Sequence, residues 1–217
     1  MVKSVFYNSI IYSVGDNGVR FINQNKKNVH FYCNRDYLPL INEKYSTDYT
    51  WGDLFKELFT PNKDLQNRIV SLQNKMGMQY NAAVFRFQNL LGDFKEYDYE
   101  KITDEIERDV LLSKCLKWVE GYVSKHPNIN LLVTSDSVMF LKAVSEIRNV
   151  FIIEGDRVHI GQDNGFSTDV IMNSFLDFYM IAGSTYVMSV GTKEMYPSEF
   201  PQYAAKVNNI SFERILI

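Results

Sequence analysis

The chain places an arginine at the end of one apolar run, "YNAAVFRF" (80–87), and a serine inside a proline-marked segment, "MYPSEFPQYAAK" (195–206). Arg86 supplies a permanent planar cation that can hold a phosphate through parallel N–H bonds. Ser198 supplies a hydroxyl between Pro197 and Pro201, where the chain enters a helix. A helix start carries free backbone N–H groups and the positive end of the helix dipole. If the fold joins these two segments, they form a site for a phosphate or pyrophosphate. Each residue also has a plainer reading, since a serine before a helix is commonly an N-cap and a strand-end arginine commonly forms a surface ion pair. Among the carboxylates, Asp136 follows "LLVTS", and Asp177 sits among Phe175, Leu176, Phe178 and Tyr179. A carboxylate buried there needs a partner, whereas one on an exposed helix face does not. His159, in "DRVHIG", reads most simply as a loop histidine. The chain has neither a Walker loop nor a G-x-G-x-x-G turn.

The elements that must position these residues alternate from residue 79 onward. Strands are expected at 80–87, 129–135, 149–153, 185–190 and 212–217, and helices at 99–126, 137–147, 169–183 and 198–209. In the first of these helices Ile102, Ile106, Val110, Leu111, Cys115, Trp118 and Tyr122 recur at spacings near three and four. Strands separated by helices call for a parallel sheet with right-handed crossovers. The expected class is α/β, a Rossmann-like parallel sheet in the order 3-2-1-4-5. Its strand order reverses between the strand that ends near Arg86 and the one that ends near Val190. Ligands of such sheets bind outside the carboxyl ends of the strands at that reversal. Residues 1–78 differ, with strands expected in "SVFYNSIIY" and "NVHFYCN" and helices at 50–59 and 63–76. They form a small α/β segment ahead of a domain at 79–217.

Composition narrows the class. The 217 residues are 46% hydrophobic and 23% charged, enough apolar material for an ordinary core. The formal charge of −3, with no basic run longer than Lys26-Lys27, argues against a nucleic-acid surface. Cys33 and Cys115 lie in unrelated contexts, so neither a metal spacing nor a disulfide framework is expected, and a reducing, cytoplasmic location is the default. The opening "MVKSVFYNSII" lacks a signal-peptide pattern, and the apolar stretch at 175–191 is interrupted by Asp177 and too short to span a bilayer.

Three segments resemble a family, the GDP-fucose-dependent fucosyltransferases of the α1,2, α1,6 and nodulation types. "AAVFRFQNLLGDF" resembles their H-x-R-x-G-D motif, and "LLVTSDSVMFL" their second motif, a strand ending in T-D or S-D. "DFYMIAGSTYVMSV" followed by "PSEFPQYAA" resembles the third, where an aspartate on an apolar helix leads through a strand to Ser-x-Phe. The resemblance runs in order through 80–206 and implies the carboxyl-terminal, donor-binding half of a GT-B glycosyltransferase. It implies a GDP-sugar donor such as GDP-fucose and a glycan acceptor, with no other cofactor. On it, Arg86 matches the arginine that grips the diphosphate and Ser198 the serine at the helix start. Asp177 matches the aspartate near guanine, and Asp136 the second-motif aspartate near nucleotide or sugar. Ser135 and Phe200 would line the same pocket. Arg86 and Asp136 are thus the catalytic candidates of a metal-independent, inverting transferase serving surface polysaccharide or glycoconjugate synthesis. No Asp-x-Asp triplet is present, because Thr134 and Val138 flank Asp136 at two residues' distance. An inverting reaction needs a base for the acceptor hydroxyl, and Asp93, Asp136 and His159 are candidates. Two departures stand out. Val84 replaces the motif histidine, and five residues separate Arg86 from Gly92-Asp93. The family's Gly-rich acceptor domain has no counterpart here. A truncated or divergent enzyme is therefore expected, with a non-catalytic nucleotide-sugar-binding or interaction domain as the alternative.

Overall fold

The structure, a computed structural model, describes residues 36–94, 101–155 and 168–217. Contacts divide the chain into two units, Met1–Trp51 and Gly52–Ile217. In the first, α1 (Leu38–Tyr45) begins where Asp36 accepts a hydrogen bond from the Leu38 N–H at 3.1 Å, with Pro39 in the first turn. Proline is pre-set for that position because its missing N–H would have no helical partner. The sequence reading assigned no helix there. The strands expected in "SVFYNSIIY" and "NVHFYCN" lie outside the described residues.

From the boundary onward, α2 (Trp51–Leu58) and α3 (Lys63–Met76) precede β1 (Tyr80–Phe85), α4 (Glu105–Lys125), β2 (Asn130–Ser135) and α5 (Val138–Ser145). Then come β3 (Val150–Phe151), α6 (Thr168–Ala182), β4 (Tyr186–Gly191), α7 (Phe200–Val207) and β5 (Phe212–Leu216). All strand pairs are parallel, in the order β3-β2-β1-β4-β5. This is the expected α/β sheet in the expected order. Every residue of β1 is buried, as a central strand covered on both faces must be.

Period-2 alternation sends successive side chains of β1 to opposite faces. Ala83 and Phe85 enter a core with Leu111, Cys115 and Val119 of α4 and Phe140, Leu141 and Val144 of α5. Tyr80 points the other way and donates its hydroxyl proton to the Met180 carbonyl of α6 at 2.7 Å. On that second face α6 packs against α3 and α7. Asn62 caps α3 by accepting from the Leu65 N–H at 2.9 Å.

Two expectations change. The helix expected over 99–126 is described as a helix from Glu105, where Asp104 caps it by accepting from the Ile106 N–H. Ile106 and Val110, expected on its inner face, are 73% and 62% exposed. The reason is angular: Ile106 stands nine residues from Cys115, and Val110 nine from Val119, which is half a turn out of phase at 3.6 residues per turn. The strand expected to reach 87 ends at Phe85, because the backbone of Phe87 and Gln88 turns aside to a carboxylate.

Candidate functional site

The strand order reverses around β1, which has β2 on one side and β4 on the other. The three carboxyl ends lead into Arg86, Asp136 and the segment from Thr192 to Glu199. The β1–β4 register runs from Asn81 opposite Tyr186 to Val84 opposite Ser189. The expected strand ends are therefore neighbours.

Asp136 is the centre of the described part of this edge. Its Oδ2 lies 3.0 Å from Nη1 of Arg86 and accepts from the Gln88 N–H at 2.6 Å. Its Oδ1 accepts from the Phe87 N–H at 2.9 Å, with the Ser135 hydroxyl at 3.4 Å. Successive N–H groups converging on one anion form a nest. Gln88 completes it with φ of +54°, a left-handed conformation that non-glycine residues rarely adopt. Burial pushes the Asp136 carboxyl above its ordinary range, while the Arg86 guanidinium and the N–H groups of Phe87 and Gln88 oppose that shift. The guanidinium also lies 5.0 Å over the Phe94 ring, so one face is packed, and the side chain stays 21% exposed. Arg86 is thus a fixed cation that reaches the surface.

A second exchange runs alongside. Oδ2 of Asp93, in the turn after β1, accepts from the Ser137 hydroxyl at 2.9 Å and from the Met139 N–H at 2.7 Å. Ser137 in turn caps α5 by accepting from the Phe140 N–H. Ser135 is buried, and its Oγ accepts from the Ser137 N–H at 3.1 Å. The sequence reading missed Ser137, Gln88 and Phe94. Ser137 carried a signal, an N-cap residue type directly ahead of an apolar helix. Gln88 carried none, since glutamine does not announce a positive φ.

Across the reversal, Met195 is buried and its sulfur lies 3.9 Å from that of Cys115, which ties the segment after β4 into the core. Ser198 is buried, and its Oγ accepts from the Phe200 N–H at 3.2 Å. It therefore takes up the first N–H of α7 from one residue ahead of the N-cap, Glu199. Glu199 adds a negative charge at this helix start, and Arg214 of β5 pairs with it at 2.5 Å. Asp177 is buried on α6, one residue before Phe178, whose ring meets Phe200 edge-on at 5.4 Å.

The predicted residues thus fall into two groups. Arg86 and Ser135 each meet Asp136. Ser198 and Phe200 touch, and Phe200 reaches the residue beside Asp177. The two groups are joined by the pairing of β1 with β4. Of the three base candidates, Asp93 and Asp136 are each held by donors of this chain, and His159 lies outside the described residues. Val84, at the motif histidine's position, is buried. Two open grooves on the described surface, of about 510 and 380 Å³, lie elsewhere: along Ile106, Val110 and Lys117 of α4, and among Phe55, Ile69, Tyr179 and Asn208. The connections that leave β1 and β3 at the carboxyl edge include 95–100 and 156–167, outside the described residues. Among the described residues no cluster of three or more metal-ligating side chains occurs. No described helix is long and apolar enough to cross a membrane.

The fold and this edge define a class: an α/β protein with a Rossmann-like parallel sheet and a fixed arginine at its topological reversal. No protein-family model matches the chain, and no curated protein matches it. Among solved structures it is similar to fucosyltransferase NodZ from Bradyrhizobium, with 14% identity and a TM-score of 0.41 over 66% of this chain and 41% of that one. A NodZ α-1,6-fucosyltransferase soaked with GDP-fucose gives 14% and 0.41 over 67% and 42%. POFUT1 in complex with GDP-fucose gives 9% and 0.44 over 77% and 49%. The matched region spans less than half the length of each of these chains.

Proposed function

We propose that the Gly52–Ile217 unit binds a GDP-sugar, GDP-fucose or a close relative, and that the chain acts as a fucosyltransferase-like glycosyltransferase in glycoconjugate or surface polysaccharide synthesis. The observation that carries this reading is the fixed Arg86 at the strand reversal, paired with Asp136 at 3.0 Å and packed over the Phe94 ring. The resemblance of these segments to the three fucosyltransferase motifs gives the site its donor. Cleaving a GDP-sugar breaks the anomeric C–O bond and leaves negative charge on the diphosphate. A preset guanidinium stabilises that charge without having to reorganise. In this reading Arg86 grips the diphosphate and the entry to α7 flanks it. Asp177 reads the guanine, and Phe200 and Ser135 wall the pocket. The test is calorimetry of the full chain against GDP, UDP, ADP and their sugars. GDP and GDP-fucose should bind most tightly, and equal affinity for GDP and ADP would sink the donor assignment.

A second reading has its own support. Val84 removes the motif histidine, and both described base candidates already accept hydrogen bonds within the chain. These observations fit a nucleotide-sugar-binding domain without transfer activity. Release of GDP from GDP-fucose, measured with and without glycan acceptors, separates the two. Turnover favours the enzyme, and tight binding without turnover favours the binding domain.

A further inference from the structure

Two carboxylates at the carboxyl edge exchange places. Asp136 leaves β2 and accepts from the N–H groups of Phe87 and Gln88 in the turn after β1. Asp93 leaves that same turn and accepts from Ser137 and Met139 at the start of α5. Each segment thus supplies the anion for the other's unpaired donors, and the turn is closed at both ends. Arg86 sits inside this clasp, with Asp136 on its guanidinium and Phe94, the residue after Asp93, under its face.

We propose that Asp136 and Asp93 are positioning residues: their paired contacts hold the 87–92 turn and the Arg86 guanidinium in one posture, preformed to receive a diphosphate. The proposal rests on the anion-binding reading of Arg86 and deepens it. Its physical content is entropic. An arginine side chain free in solvent loses rotamer freedom when it closes on a phosphate, whereas one already fixed does not. A second effect runs the other way. Asp136 is an anion beside the site, so its charge alone repels a phosphate. The two effects therefore predict opposite signs when the charge is removed. If Asp136 acts through Arg86, Asp136→Asn weakens anion binding despite the lost repulsion. If it is only a countercharge, the same change tightens binding.

The experiment is calorimetry of the full chain with inorganic pyrophosphate and with GDP, for the wild type, D136N, D93N, R86A and the R86A/D136N and R86A/D93N double variants. D136N should weaken both ligands about threefold or more, and it should cost nothing further in the R86A background, as expected for residues that act as a unit. Tighter or unchanged binding by D136N overturns the proposal, as does a loss in the double variant equal to the product of the single losses. Should D136N fail to fold by circular dichroism, D93N, which lies outside the ion pair, takes its place. A loss that vanishes in the R86A background supports the proposal, and unchanged binding overturns it. Unchanged pyrophosphate and GDP affinity in R86A would sink the anion reading itself. The positioning is then read from the Arg86 Nη1–H resonance, assigned by its absence in R86K. Its slowed exchange with solvent should be lost in D136N, and its persistence there overturns the clasp.

Discussion

At the scale of single residues, the guanidinium of Arg86 and the hydroxyl of Ser198 make different predictions because they are held differently. Arg86→Ala removes a charge-assisted contact, so GDP affinity by calorimetry should fall by about 1.5–3 kcal/mol. Ser198→Ala should cost less, about 0.5–1.5 kcal/mol, because the N–H groups at the start of α7 remain, although the acceptor for the Phe200 N–H is lost. A larger loss in S198A than in R86A would mean that the serine, not the arginine, anchors the phosphates. Asp177→Asn should weaken GDP relative to ADP, because an amide offers one acceptor group where guanine presents donors. An unchanged GDP to ADP ratio would take Asp177 out of base recognition and leave it as a buried carboxylate of α6.

At the scale of elements, the approach of α2 to α7 depends on one missing side chain. A Cβ at Gly52 would meet the Val207 carbonyl oxygen at 2.4 Å and that of Lys206 at 2.8 Å. Both are backbone atoms near the carboxyl end of α7, so they cannot move aside as a flexible side chain could. Gly52→Ala should therefore destabilise the fold by about 1–3 kcal/mol, the usual cost of overpacking, even though alanine has the higher helix propensity. Urea denaturation would check this, and a G52A variant as stable as the wild type would mean that α2 can shift without cost. The segment between β4 and α7 depends on Met195 in the same way, since its buried side chain ties the chain leaving the sheet to the α4 core.

For the whole molecule, alkaline pH tests the core. Burial pushes the Cys115 thiol from 9.0 to about 12 and the Tyr80 hydroxyl from 10.0 to about 12. Both folded values lie above the unfolded ones, so the unfolded chain releases these protons first. The associated stability is complete below pH 9, declines as pH rises, and is lost through pH 12. Urea midpoints measured across that window should fall steadily. Cys115→Ala should lower stability at neutral pH through the cavity it leaves, yet make the alkaline decline shallower. An equally steep decline in C115A would assign the effect to other groups.

The sequence by itself determined the kinds of elements and their order in the sheet. Apolar runs and helical periods are local signals, and the handedness of crossovers leaves few ways to arrange five parallel strands. It also located the carboxyl edge where Arg86 follows β1 and Asp136 follows β2, because strand ends follow from strand order. Only the tertiary structure decided what those residues touch. Asp136 meets a backbone N–H 49 residues away, and Cys115 meets a sulfur 80 residues away, partners that no local pattern specifies. It also decided that Ile106 and Val110 face outward, since an apolar period shows that a helix has a buried stripe but not which of two stripes meets the sheet. Asp136 shows the same division. Its position at the end of β2 could be read from the chain, whereas its engagement with Arg86, Phe87 and Gln88 required the fold to bring two turns together.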